Sequence, residues 1–217
     1  MPVENQVRGS LGSRFGLIET LRWEPGSGAI RADRHLARMQ ISAVHFGKAF
    51  DRNEAESLLD SISAETALRL RLLLDDDDKL SLTSHPFQPL SADAVWKVRI
   101  AQTKLWSTDQ FLAHKTTERQ TYERARAEFA ASEADEVLME NENGFLCEGT
   151  ITSLFVEKDG ILVTPRLSHG LLRGVLRQQL IDDGKAVEGD VTRADLEGLP
   201  FFIGNSLRGL VCGQLAP

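Results

Sequence analysis

A lysine, a strand-borne glutamate and a glycine-opened helix follow one another between His114 and Arg177. Lys115 is the amine. A free lysine titrates near about 10.4 and is a poor nucleophile at neutral pH. Partial burial and a cationic neighbour lower that value, and His114 and Arg119 are close in sequence. The pattern puts Lys115 at the start of a helix, where the helix dipole mildly disfavours a cation, so the placement asks for a reason. Glu148 follows 33 residues later among Leu146, Cys147, Ile151, Leu154 and Phe155. A carboxylate in so apolar a strand needs a partner. Gly170-Leu-Leu-Arg-Gly-Val-Leu-Arg177 turns into another helix, and the backbone N–H groups of Gly174, Val175 and Leu176 suit an anion. An amine, a carboxylate and a phosphate seat are what an enzyme needs to hold pyridoxal phosphate through a Schiff base.

The elements that must position these groups can be read from periodicity and turn residues. Phe15 to Trp23 alternates as a strand, and Glu24-Pro-Gly-Ser-Gly28 is a turn. Asp33 is expected to cap a helix with Leu36, Met39, Ala43 and Phe46 on one face, and Asn53 a second with Ala55, Leu58, Leu59 and Ile62. Thr66–Leu74 and Leu80–Ser84 form a hairpin whose tip carries Asp75 to Asp78; four like charges favour a solvated turn over a metal site. Val95 to Ala101 is a strand. Thr116 or Thr117 is expected to cap a helix running to about Ser132, with Tyr122, Ala125 and Phe129 on one core-facing stripe. Val137–Glu140 pairs with Gly144–Cys147, and Thr150–Glu157 with Ile161–Thr164 around Asp159-Gly160. Gly170 to Asp183 is a helix with its entry turn, closed by Gly184, and Phe201–Ile203 and Leu210–Cys212 are short terminal strands. This predicts an α+β chain, with an α/β lobe over 1–105 and a β-rich lobe over 106–217.

Composition narrows the function classes. The 217 residues are 41% hydrophobic and 26% charged, with a formal net charge of −7. That is a globular composition without the basic block that nucleic acid binding requires. No apolar run reaches the roughly 20 residues of a membrane span, and the polar N-terminus resembles no signal peptide, so the expected location is the cytoplasm. Cys147 and Cys212 make no disulfide framework, and the five histidines show no metal-ligand spacing.

The motifs, in order, resemble the fold-type IV pyridoxal-phosphate enzymes: branched-chain aminotransferases, D-amino acid aminotransferases and aminodeoxychorismate lyases. Phe15-Gly-Leu-Ile-Glu-Thr20, Arg34-His-Leu-Ala-Arg38, Ser42-Ala43, Glu148-Gly-Thr-Ile-Thr-Ser-Leu-Phe155 and Gly204-Asn-Ser-Leu-Arg-Gly209 carry the likeness. It implies a small N-terminal α/β lobe and a larger β-rich pseudo-barrel, with the cofactor between them and a homodimer closing the site. Lys115 would be the Schiff-base lysine and general base, Glu148 the partner of the pyridine nitrogen, and Arg38 the phosphate arginine. Gly174, Val175, Leu176, Asn205 and Ser206 would complete the phosphate seat, with Ser153 beside it. Ser153 stands where relatives carry asparagine, and Leu176 where they often carry threonine. Arg14, Arg173 and Arg208 flank the motifs, and one or more of them is expected to receive the carboxylate of an anionic amine substrate.

Lys115-Thr-Thr-Glu-Arg119, Thr164-Pro-Arg-Leu167 and Gly204-Asn-Ser-Leu-Arg-Gly209 look like the 4-amino-4-deoxychorismate lyase branch. That branch makes p-aminobenzoate and pyruvate. An aminotransferase of branched-chain or D-amino acids and a non-catalytic member of the fold are the alternatives.

Overall fold

The computed structural model describes residues 15–216. Strand β1 (Leu17–Glu24) forms a four-stranded antiparallel sheet in the order β2-β1-β3-β4, with β2 (Gly28–Ala29), β3 (Leu68–Leu74) and β4 (Leu80–Pro86). Register runs from Leu17 opposite Leu74 to Trp23 opposite Leu68. Alternation then sends Leu17, Leu21, Trp23, Leu70, Leu72 and Leu74 to one face. Helices α1 (Ala32–Phe46) and α2 (Arg52–Asp60) cover it with Leu36, Met39, Ala43, Ala55 and Leu59. Burial of these side chains is the main stabilising term of the region, at about 1.5–3 kcal/mol for each large one.

Both helix starts differ from expectation. Arg31, in the left-handed region at φ 59°, precedes α1, and Asp33 lies inside its first turn. Asp51, not Asn53, caps α2: its Oδ1 accepts from the Asn53 and Glu54 N–H groups at 2.8 and 3.2 Å. A cap side chain reaches amides two and three residues ahead, which Asp51 does and Asn53, two residues too late, cannot. The aspartate tip behaves as a turn. Asp75 accepts from the Asp77 and Lys79 N–H groups, and Asp78 pairs with Lys48.

The second sheet has eight strands in the order β10-β9-β8-β11-β12-β5-β6-β7. They are β5 (Val95–Ile100), β6 (Glu136–Glu140), β7 (Leu146–Gly149), β8 (Ser153–Lys158), β9 (Ile161–Pro165), β10 (Ala186–Gly189), β11 (Phe201–Asn205) and β12 (Gly209–Leu215). β7 also meets β8 at Glu148 opposite Ser153, so six strands close into a barrel-like ring. Val98, Leu138, Leu146, Leu154, Val156, Ile203 and Val211 fill it. β5 sits between β12 and β6 in this sheet, although it precedes residue 105. Helices α4 (Val175–Asp182) and α5 (Arg193–Gly198) complete the region; α5 and β10 are too short to leave a periodic signal.

Between the sheets, the segment that carries the lysine is extended rather than helical. Lys115 O accepts from the Ile18 N–H at 2.9 Å, Gly16 O from the Thr117 N–H at 2.9 Å, and Thr117 Oγ1 from the Gly16 N–H at 2.9 Å. Neither Thr116 nor Thr117 caps a helix. Helix α3 spans Gln120–Ala127 and ends short of Ser132. Three long-range hydrogen bonds to the approach to β1 hold this stretch, so tertiary pairing overrides the local signal. None of the described helices is long and apolar enough to cross a membrane.

Candidate active site

A cavity of about 1270 Å³ opens between the two sheets. Its walls come from α1, β3, the Lys115 segment, α3, β7, the Thr150–Thr152 turn, the start of α4 and the Asn205–Arg208 turn. Lys115, Glu148 and Arg38 all line it, so the structure brings together the three principal residues that the sequence singled out.

Lys115 is pushed down from 10.5 to about 8, by burial first and then by the Arg38 and Arg119 guanidiniums. His114, expected to help, is not among those causes. Its Nδ1 bonds Ser42 Oγ at 2.9 Å and its ring stacks on His45. Depression of this size leaves a usable fraction of neutral amine at physiological pH.

At one end of the cavity lies a buried charge network. Glu19, 1% exposed, accepts from Arg38 Nε at 2.8 Å and Arg38 Nη2 at 2.6 Å. Its Oε2 also meets His35 Nδ1 at 2.6 Å. Burial alone would raise this carboxyl, but Arg38 and His35 outweigh it and hold Glu19 at about 2. Burial depresses His35, which is therefore neutral; its Nδ1–H donates to Glu19, and Nε2 accepts from the Ser206 hydroxyl at 2.8 Å. Arg38 Nη1 donates to the Arg173 carbonyl at 3.0 Å. Glu19 and His35 thus fix the two side chains, Arg38 and Ser206, that face the start of α4.

That start is a seat for an anion. The Val175 and Leu176 amides belong to the first turn of α4, which has no intrahelical acceptors, and Gln178 is the first to bond back, to Gly174 O at 2.8 Å. Ser153 and Gly174 pack so closely that a Cβ on Gly174 would lie 2.5 Å from Ser153 Oγ. One on Gly204 would lie 2.5 Å from Gly209 O and 3.1 Å from Leu176. Arginine and two helix amides form a phosphate-binding donor set, and its glycines leave no slack beneath it.

At the other end sits Glu148. Its Oε1 accepts from the Tyr122 hydroxyl at 2.7 Å and from the Leu172 N–H at 3.2 Å. Burial pushes it up to about 7, against the pull of those two donors and of Lys115 and Arg119. Pyridoxal phosphate fits this arrangement: an anion seat at one end, a carboxylate short of donors at the other, and a depressed lysine between. Arg38 and the α4 amides would hold the phosphate, with Ser206 beside them and its hydroxyl proton given to His35; Lys115 would hold the aldehyde carbon and Glu148 the ring nitrogen.

Several assignments change. Asn205 lines the cavity with its side chain tied to the surrounding backbone. Its Nδ2 donates to Ile151 O at 3.0 Å, and its Oδ1 accepts from the Leu207 and Arg208 N–H groups, so it ties the turn together. Arg173 is exposed, turns to Gln178 and is not in the cavity wall. Arg14 lies outside the described residues. Arg208 lines the cavity over the Trp96 ring at 5.4 Å, and Arg69 and Arg119 line it too. Tyr122 packs its ring against the Ala125, Val137 and Met139 cluster, as its stripe implies, and its hydroxyl faces the site. Glu19 was visible only as part of a motif, because an alternating strand does not announce which buried carboxylate meets an arginine. Glu136 was missed; it accepts from the Thr150 N–H at 3.0 Å and from the Thr150 and Thr152 hydroxyls, which shapes the turn at the cavity wall.

A model of the amino-transferase class IV family matches residues 16–212. The chain belongs to this family. Class IV members use pyridoxal phosphate, and this chain is a pyridoxal-phosphate-dependent lyase or aminotransferase. A crystal structure named "Putative amino-acid aminotransferase", from Mesorhizobium loti, is 47% identical with a TM-score of 0.90; the match covers 93% of this chain and 100% of that one. A Schizosaccharomyces pombe protein named "Putative aminodeoxychorismate lyase" is 28% identical, over 72% of this chain and 69% of its own length. The aminodeoxychorismate lyase of Saccharomyces cerevisiae is 31% identical over 55% of this chain, which spans 37% of the yeast protein. The 4-amino-4-deoxychorismate lyase structure from Pseudomonas aeruginosa shares the fold, with a TM-score of 0.77 at 22% identity, over 95% of this chain and 87% of that one.

Proposed function

We propose that the protein converts 4-amino-4-deoxychorismate into p-aminobenzoate and pyruvate. The observation that carries the reading is that Arg38, Ser206, Lys115 and Glu148 line one cavity, with Lys115 close enough to feel both Arg38 and Glu148. The two fungal lyase relatives direct it to this substrate. Pyridoxal phosphate, when bound, supplies a carbonyl that condenses with amines and a ring that withdraws electrons. Lys115 Nζ takes the proton from the carbon that bears the substrate amine, and near its pKa of about 8 it can both accept and return a proton at neutral pH. Glu148 holds a proton on the ring nitrogen. Arg69, Arg119 and Arg208, each in the cavity wall, receive the carboxylates of the substrate. A homodimer belongs to the same reading; Ile41 and Val44 on α1 are exposed at 61% and 72%, an apolar pair suited to a partner.

The identity to the Mesorhizobium protein favours a second reading, amine transfer from an amino acid to a keto acid. One assay separates the two. Loaded protein supplied with 4-amino-4-deoxychorismate and no keto acid should release equal amounts of pyruvate and p-aminobenzoate, and Lys115→Ala should release neither. Amine transfer to a keto acid from an amino acid donor, with no pyruvate from 4-amino-4-deoxychorismate, would replace the lyase reading by the transferase one.

A further inference from the structure

Glu148 has a neighbour whose role neither family membership nor the proposed reaction assigns. Tyr122 stands on the first turn of α3, and its hydroxyl donates to Glu148 Oε1 at 2.7 Å across the wall of the cavity. Among the described residues, Oε1 takes both hydrogen bonds made to this carboxylate, from Tyr122 and from the Leu172 N–H, and Oε2 takes none. The phenol ring is itself held: the Arg119 guanidinium lies 4.9 Å above its centroid, and Arg119 Nη2 donates to Thr150 O at 2.5 Å. A chain of contacts therefore runs from the Thr150 turn through Arg119 and Tyr122 to one oxygen of Glu148.

We propose that Tyr122 is a positioning residue for Glu148: its hydroxyl occupies Oε1, turns Oε2 toward the pyridine nitrogen of the cofactor, and keeps the proton shared by Glu148 and that nitrogen on the nitrogen. A hydrogen bond donated to an ionised carboxylate stabilises the ionised form against the protonated one. If the hydroxyl is removed, the shared proton moves toward Glu148, the ring loses its positive charge, and its capacity to withdraw electrons falls. Other charges face the pair. Lys115 and Arg119 favour the ionised carboxylate, while Asp109 acts on the phenol in the same sense as Glu148, and both keep it protonated. A carboxylate fixed by backbone alone would need none of this. Leu172 supplies one donor at 3.2 Å, and the shorter bond comes from the side chain.

The inference rests on pyridoxal phosphate sitting at Lys115, and not on which reaction follows. Tyr122 is the only tyrosine of the chain, which gives the test two independent readings. The first needs no cofactor. Tyrosinate absorbance near 295 nm reports one phenol, and replacement of the neighbouring charge in Glu148→Gln should let it ionise at least about one pH unit lower than in the parent protein. An unchanged titration would mean that the hydroxyl does not meet Glu148, and would overturn the proposal whatever the cofactor does. The second reading uses Tyr122→Phe, which keeps the ring and its contact with Arg119. With pyridoxal phosphate labelled with nitrogen-15 in the ring, the pyridine resonance of the parent should mark a protonated nitrogen. That of Tyr122→Phe should move toward the neutral value, with Glu148→Gln as the reference for a site without charge. A resonance unmoved in Tyr122→Phe would overturn the role of the hydroxyl. If neither the parent nor the variant holds the labelled cofactor, the reading of the whole site fails, an outcome distinct from failure of the tyrosine titration.

Discussion

Two buried glutamates, one behind Arg38 and one in the cavity wall, are treated by the protein in opposite ways. Glu19 and Glu148 are 1% and 5% exposed. Burial raises both. At Glu19 a two-pronged guanidinium and an imidazole overcome it, and the carboxyl is held at about 2. At Glu148 a phenol and one amide do not, and it rises to about 7. The difference is completeness. Glu19 has its charge partner within the chain and organises Arg38 and Ser206. Glu148 lacks a full cation partner, as befits a group whose partner arrives with the ligand. Lys115 lies between them with its own charge disfavoured.

The largest expected effect is loss of the amine. Lys115→Ala should reduce turnover by roughly 10³-fold or more, since it removes both the covalent anchor and the proton acceptor, and the fold should survive; product release and circular dichroism check both halves.

The next effects separate the two glutamates. Glu19→Gln should cost about 3–5 kcal/mol, because it strands Arg38 and His35 in a buried network. Glu148→Gln should leave the stability of the cofactor-free protein unchanged or raise it, since a charge that burial disfavours is removed. Urea denaturation of both variants at pH 8 makes the comparison, and equal losses would break it.

Acidity sharpens it further. The folded-state pKa of Glu19 lies below the ordinary 4.5, so its contribution is complete above pH 4.5 and is lost as pH falls toward 2. Glu148 is raised, so the stability it gains as a neutral acid is complete below pH 4.5 and lost as pH rises through 7. Glu19→Gln should therefore flatten the acid limb of the stability curve, and Glu148→Gln the limb between pH 4.5 and 7. Lys115 predicts a kinetic counterpart: capture of pyridoxal phosphate should accelerate about tenfold per pH unit up to about 8 and level off above it, as stopped-flow absorbance would record.

The smallest effect is a control. Arg34 and Asp182 pair at 2.6 Å with side chains 38% and 43% exposed. Asp182→Asn should change stability by less than about 1 kcal/mol by denaturation, which would show that burial, and not the mere presence of an ion pair, sets the strength of Glu19 and Arg38.

Much of this architecture is legible in the chain. The alternation of Leu17 to Trp23, the Asp159-Gly160 hairpin and the glycine turn before α4 are local, and each forms where the local signal puts it, to within a few residues. What depends on distant partners is not legible. Lys115 reads as the start of a helix until Gly16 and Ile18 pull its segment into an extended pairing. Tyr122 reads as core and its ring does pack there, but a stripe on a helix cannot say that its hydroxyl reaches a cavity. Asn205 sits in a binding motif, yet its side chain bonds backbone at Ile151, Leu207 and Arg208. Arg69 and Glu136 carry no local mark at all; closing of the ring brings Glu136 to the Thr150 turn, and Arg69, on β3 of the other sheet, meets the site only across the cavity.

The most direct test is to load the protein with pyridoxal phosphate, reduce it with borohydride and map the modified peptide. The account predicts one pyridoxyl group, on Lys115, with none retained by Lys115→Ala. A folded protein that retains no cofactor, or one modified elsewhere with Lys115 untouched, would contradict it.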